Sequence, residues 1–178
     1  MSNRLTIAIS GKSGCGNTVV SNMVAEKLGL RHINYTFHNI AAENGVSFEE
    51  IMDKAETDNR YDLYLDKKQV QLADGGGCVL GSRLAIWLLK HAEIKVYLEA
   101  SLRVRAARIA RRENKDFSTA YKETNERDRK DHNRFYRLYA IDNTLYDFAD
   151  LIVDTEEGDQ YYVTQAIIDY IRKRGFID

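Results

Sequence analysis

The strand-loop-helix unit at the start of the chain constrains the fold most. Leu5 to Ser10 (LTIAIS) is a short, β-branched apolar run. It ends in Gly11-Lys12-Ser13-Gly14-Cys15-Gly16-Asn17-Thr18. From Thr18 to Leu30 the apolar residues Val19, Val20, Met23, Val24 and Leu28 recur at helical spacing, and Gly29 reads as a helix stop. Glycines between a buried strand and a helix let the backbone curl. Its N–H groups then converge on one point, and the helix adds the positive end of its dipole. Such a loop is suited to phosphate. The plainer alternative is a glycine-rich turn with no ligand.

The rest of the chain alternates in the same way. Further strands are expected at His32 to Tyr35, Cys78 to Gly81, Ile94 to Leu98 and Leu151 to Asp154. Helices are expected at Phe37 to Asn44, Ser47 to Glu56, Tyr61 to Asp74, Ser82 to Leu89, Ser101 to Arg112, Ser118 to about Tyr139, and Tyr161 to Arg174. Ser47 followed by Glu50 reads as a capping box. Strands separated by helices predict a parallel sheet with helices on both faces. In that architecture ligands sit at the carboxyl ends of the strands. Three such ends stand out: Gly11 to Thr18, Gly81 to Arg83, and Asp154 to Glu157.

Composition narrows the function classes. The chain has 178 residues, 44% of them hydrophobic, and a net charge of −1. That size predicts one domain, and the near-neutral charge gives no reason to expect a nucleic-acid or membrane partner. The residues Met1 to Arg4 run directly into the first strand, with no signal-peptide pattern. Cys15 and Cys78 are far apart and form no CxxC, which fits a reducing cytoplasmic compartment. His32, His91 and His132 make no metal pattern with them. The chain has no proline, so its turns must rely on Gly, Asn and Asp.

The loop fits G-x-x-x-x-G-K-[ST] except that Asn17 stands where lysine is expected. Thr18 is placed to hold a magnesium ion through its hydroxyl. Lys12, inside the loop, is the candidate to supply the missing charge. Arg105, Arg108 and Arg112 share one helix face at i, i+3, i+7, and Arg127, Asp131 and Arg134 share another at i, i+4, i+7. Arginines so spaced can grip phosphates and stabilise charge in transfer, or form a solvated face of ion pairs.

These residues carry a resemblance over nearly the whole chain. The loop GKSGCGNT, Ile40 to Ile51, Leu65 to Gln69 (LDKKQ), Val79 to Trp87, Leu98 to Arg112 and Glu126 to Ile141 together resemble the nucleoside-monophosphate kinases, most closely cytidylate kinases of the short archaeal type. The resemblance implies an α/β, three-layer P-loop NTPase-type fold with a five-stranded parallel sheet. It also implies a helical acceptor-binding segment at about 35–74 and a lid at about 111–127. The implied reaction is ATP-dependent phosphoryl transfer to CMP or dCMP, with Mg²⁺. Gly11, Ser13, Gly14, Cys15, Gly16, Asn17 and Thr18 would bind the donor, and Thr18 the metal. Lys12, Arg108 and Arg112 would act on the transferring group. His38, Asp66, Lys67, Arg83, Arg127, Asp131 and Arg134 would hold the acceptor. Small-molecule nucleotides are the implied partners of a monomer or weak homo-oligomer.

The sequence departs from the family pattern at several positions. His38 follows Phe37 where an arginine is usual, Asn34 matches a small acceptor-site residue, Gly81-Ser82 replaces Glu-Gly, and Lys67-Lys68 replaces a double arginine. Two other readings therefore stay open: a nucleotide-binding regulator without transfer chemistry, and a related small-molecule kinase with another acceptor. Tyr35, Tyr61 and Tyr64 are candidates to line a base pocket. Tyr136, Tyr139, Tyr161 and Tyr162 read as core-edge residues. The electropositive loop is an environment that would lower the Cys15 thiol pKa, unless Cys15 is simply a small filler.

Overall fold

The computed structural model describes residues 5–178, so Met1 to Arg4 and the reading made of them lie outside it. Five parallel strands, β1 (Thr6–Gly11), β2 (Arg31–Ile33), β3 (Cys78–Gly81), β4 (Ile94–Glu99) and β5 (Leu151–Asp154), form one sheet in the order β2-β3-β1-β4-β5. The pairing runs Ile7 beside Val79 and Ile94, and Leu98 beside Val153. β1 is central and buried throughout, which explains its continuous apolar run. The order reverses between β3 and β4 around β1, so the loop after β1 opens at the switch point of the sheet.

Eight helices complete the described residues: α1 (Asn17–Leu28), α2 (Phe37–Asn44), α3 (Phe48–Thr57), α4 (Arg60–Ala73), α5 (Ala85–Leu88), α6 (Leu102–Glu113), α7 (Phe117–Tyr139) and α8 (Gln160–Lys173). Val20 and Val24 of α1 and Ile167 and Ile171 of α8 pack on one sheet face with Ile7, Ile9 and Leu98. Ala73 of α4 and Ala85 and Ile86 of α5 cover the other face with Ala8 and Leu80. Tyr35, Ile40, Ala41 and Ile51 form a separate small cluster joining α2 and α3.

Most boundaries agree with the sequence reading within one or two residues, and three local expectations need correction. Only Ala85–Leu88 of the stretch expected from Ser82 to Leu89 is helical. The Ser82 amide instead donates to Ile9 O, prolonging the sheet pairing, and the Ile86 amide is taken by Ser10 Oγ. The capping box at α3 is half formed. Ser47 Oγ accepts from the Glu50 amide, but the Glu50 carboxylate is taken by Lys54 at 2.6 Å. The third concerns turns. Gly29, Gly45 and Asn114 end α1, α2 and α6 in the left-handed region as expected, but α7 ends on an alanine, Ala140, at φ 54°.

Gly81 lets α1 approach the end of β3. A Cβ there would lie 2.1 Å from Ser21 Oγ and 3.0 Å from Asn17 O. Gly81→Ala is therefore expected to cost about 1–3 kcal/mol by overpacking, measured by urea denaturation.

Candidate active site

The phosphate-type loop takes its shape from Gly14 and Gly16, both left-handed at φ 89° and 95°. At Gly14 a Cβ would also meet Arg105 Cβ at 2.9 Å. Arg105 is why the loop is pressed so closely. Its guanidinium donates to Ser13 O at 3.1 Å and to Ala100 O at 3.1 Å through Nε. It also pairs with both oxygens of Asp128, at 3.0 and 2.6 Å. With a residue exposure of 2%, Arg105 is a structural clamp. The face shared with Arg108 and Arg112 in sequence is split by packing against α7.

Asn17 turns back across the loop, and its Nδ2 donates to Gly11 O at 2.6 Å. It ties the loop closed and brings no charge. Lys12 Nζ lies 4.0 Å from Asp128 Oδ2 and lines the cavity beside the loop. Arg108 Nη1 reaches Gly14 O at 3.4 Å and Thr155 Oγ1 at 2.8 Å, so the strand end at Asp154 to Glu157 holds Arg108 without itself lining the cavity. Arg112 lines the same cavity while pairing with Glu113 at 2.8 Å. The Cys15 thiol is pushed up to about 11, because burial outweighs the neighbouring Arg105 and Arg108. Of the two readings of Cys15, this supports the small filler and not the activated thiol. Cys15 fills the core beneath the loop.

A cavity of about 490 Å³ runs from this loop to α4 and α7, a size typical of small-molecule sites. Ser13, Gly14, Gly16, Asn17 and Thr18 line one part, and Arg83, Arg134, Asp62, Asp66, Gln69 and Tyr35 line another. Asp131, 6% exposed, organises the arginines: Arg83 Nη1 donates to its Oδ2, and Arg134 Nη2 to its Oδ1 at 2.9 Å. Arg134 also stands 3.6 Å from Asp62 Oδ1. Asp131 lines an adjoining recess and not the cavity itself.

Not every candidate faces this space. His38 stacks on Phe48 at 3.9 Å and is absent from the lining. Lys67 is exposed on α4 and also absent. Arg127 reaches Ser13 Oγ at 3.3 Å, on the loop side and away from Arg134. One helix turn separates α7 positions that contact the loop from those that contact Arg83. Gly11, at the end of β1, and Cys15 are buried and absent from the lining. Among the three tyrosines considered for a base pocket, only Tyr35 lines the cavity. Tyr139 is half-buried, as expected of a core-edge residue, and donates its hydroxyl to Asp66 Oδ2 at 2.6 Å, whereas Tyr136, Tyr161 and Tyr162, read the same way, are exposed.

The sequence reading missed Asp62 and Gln69. Their signal was the i, i+4, i+7 register with Asp66 on α4. Five buried side-chain atoms among the described residues lack a hydrogen-bond partner: Asn17 Oδ1, Asp62 Oδ2, Gln69 Oε1, Ser82 Oγ and Arg134 Nε. All five belong to residues lining this one cavity. Buried polar atoms are normally paired, and a cluster of orphans marks the place a polar ligand completes.

Burial raises both acids of α4, and Asp66 is pushed up to about 6 from an ordinary 3.8. The folded state therefore holds more protons than the unfolded chain between those pH values, and stability falls as pH rises through that window. The cost at neutral pH is about 3 kcal/mol. Asp66→Asn, whose carbonyl can still accept from Tyr139, is expected to gain up to about 3 kcal/mol at pH 8 and almost nothing at pH 4. Paired denaturation curves at the two pH values check this.

Comparison with known proteins agrees with the geometry. The cytidylate kinase-like family model matches residues 6–157. Cytidylate kinase 2 of Borrelia garinii subsp. bavariensis is 44% identical over 174 residues, covering 96% of this chain and 98% of that one. Cytidylate kinase of Pyrococcus horikoshii is 35% identical over 173 residues, covering 94% and 90%. Among solved structures, shikimate kinase from Acinetobacter baumannii in complex with shikimate superposes with a TM-score of 0.67 at 19% identity, covering 97% and 96%. Deoxyadenosine kinase from M. mycoides, with dCMP and dCDP bound, gives 0.60 at 18%, covering 95% and 100%. These two share the fold of P-loop kinases. With a match over most of its length and full-length relatives above 30% identity, the chain belongs to the cytidylate kinase-like family and is a nucleoside-monophosphate kinase.

Proposed function

We propose that the enzyme transfers the γ-phosphoryl group of ATP to CMP or dCMP. The observation that carries this reading is the single cavity joining the glycine loop to the Arg83–Asp131–Arg134 cluster, with every unpaired buried side-chain atom described on its walls. Little covalent work is required of the protein in such a reaction. Positioning and charge neutralisation carry it.

The loop amides around Gly14 and Gly16 would hold the donor phosphates, assisted by the N-terminus of α1. Arg83 and Arg134 would hold the acceptor phosphate, with Asp131 fixing both guanidiniums. Asp131 is on this reading a positioning residue. Asn17 being neutral, the charge at the transferring group would come from Lys12, Arg108 and Arg112, which line the cavity beside the loop. The α6–α7 end, about 111–127, would act as the lid that brings Arg112 down and excludes water.

Magnesium fits this donor set. The Thr18 residue lines the cavity at the second position of α1, Ser82 Oγ is buried without a partner, and phosphate and water supply the remaining ligands such an ion prefers. When bound, the ion would neutralise charge on the donor phosphates.

A coupled ADP-release assay over all common nucleoside monophosphates tests the reading. CMP and dCMP are expected to be the best acceptors. A folded protein that turns over none of them overturns it, and binding without turnover identifies a regulator.

A further inference from the structure

We infer that one face of α4, formed by Asp62, Asp66 and Gln69, selects the acceptor base by accepting hydrogen bonds from its exocyclic amino group. The inference rests on the proposed acceptor site and names what in that site discriminates.

Asp62 and Gln69 are each 7% exposed, and each carries an unpartnered oxygen, Oδ2 and Oε1, on the cavity lining. Hydrogen bonds orient two of the three side chains on this face. The Gln69 Nε2 amide donates one of its two N–H groups to Tyr35 O at 2.8 Å, which fixes the amide plane and leaves Oε1 as its unpartnered acceptor. Asp66 is held through Oδ2 by the Tyr139 hydroxyl at 2.6 Å. The face therefore presents oriented acceptors at Gln69 and Asp66, with the unpartnered Asp62 Oδ2 beside them. Tyr35, Leu65 and Phe135 on the same lining supply flat apolar surface for a ring.

Cytosine carries an amino donor where uracil carries a carbonyl oxygen. Against these acceptors, the amino group is paired, whereas the uracil carbonyl leaves acceptors facing one another. Sites that hydrogen-bond a substrate N–H discriminate far more strongly than apolar ones. Arg83 and Arg134, by contrast, meet a phosphate that all nucleotides share, and contribute affinity without selection.

Calorimetry of CMP and UMP binding reads the inference directly, whether or not the protein transfers phosphate. Wild type is expected to bind CMP at least about 100-fold more tightly than UMP. In Asp66→Asn the carbonyl is retained by Tyr139, so the new amide N–H₂ faces the cavity and pairs with the uracil carbonyl. The CMP preference should then narrow about tenfold or more. Gln69→Met should weaken CMP more than UMP. Thermal melts establish that each variant is folded. Equal binding of CMP and UMP by wild type overturns the inference, as does an equal loss for both nucleotides in Asp66→Asn and Gln69→Met, which would assign the face to ribose or to structure. Failure of phosphoryl transfer with the CMP preference intact would instead overturn the kinase reading alone.

Discussion

Replacing Arg105 with methionine is expected to cost about 3–5 kcal/mol of folding stability. Against a total of about 5–15 kcal/mol for an ordinary domain, such a loss leaves a marginal protein. The reason is burial. The Arg105 side chain is 3% exposed and that of its partner Asp128 is 15%. Methionine replaces the aliphatic volume but strips Asp128 of a bidentate partner and Ser13 and Ala100 of a donor. Lys12, at 4.0 Å, is the remaining cation near Asp128. Because Arg105 touches Ser13 O and packs under Gly14, nucleotide affinity should fall along with stability. Adding Asp128→Leu to the same protein should recover part of the loss, since an uncompensated buried charge is worse than none. Guanidinium chloride denaturation of the two variants measures this. A loss below about 1 kcal/mol for the single variant would show that the clamp contributes no more than a surface pair.

Replacing Arg83 with methionine should do the opposite: leave the fold nearly intact and remove activity. The Arg83 side chain is 43% exposed and faces the cavity, and Asp131 keeps Arg134 at 2.9 Å when Arg83 is gone. The melting temperature should change little. Loss of one charged contact to a transferring or receiving phosphate should lower kcat/KM by about 100- to 1,000-fold. Arg83→Lys should fall between, keeping the charge but losing the planar fork that Asp131 orients. Steady-state kinetics with CMP at saturating ATP gives the ratio. A change below about threefold in Arg83→Met would remove Arg83 from the acceptor site. The pair of variants thus separates an arginine expected to hold the acceptor from one expected to hold the fold.

That separation marks the limit of what the sequence makes legible. The strands, their parallel arrangement and the loop are readable, because apolar runs and glycine positions are local signals and β1 is buried throughout. The roles of individual arginines are not local. Arg105, Arg108 and Arg112 share a face by spacing, yet contact with α7 turns the first inward to Asp128 and leaves the third on the cavity lining. Arg127 and Arg134 likewise diverge, one to Ser13 and the other to Asp131. Asp62 and Gln69 look like an ordinary polar helix face in sequence. They line one cavity wall with Asp66, where Tyr35, 34 residues before Gln69, accepts from the Gln69 amide and Tyr139, 73 residues after Asp66, donates to the Asp66 carboxylate. His38 fails for the converse reason: a place beside an aromatic residue in sequence gives no assurance that the ring faces the cavity, and Phe48 of α3 claims it.

Asn17 shapes the central question. A neutral side chain that clasps Gly11 O leaves the loop built to hold phosphate without its usual cation. On the proposed reading, transfer then depends on Lys12 within the loop and on Arg108 and Arg112, which line the same cavity. Incubation of the protein with γ-labelled ATP, magnesium and CMP tests this most directly. The label is expected in CDP, with none appearing as inorganic phosphate beyond the background rate. Label that stays in ATP, or that is released as phosphate while CMP remains unchanged, would contradict the account.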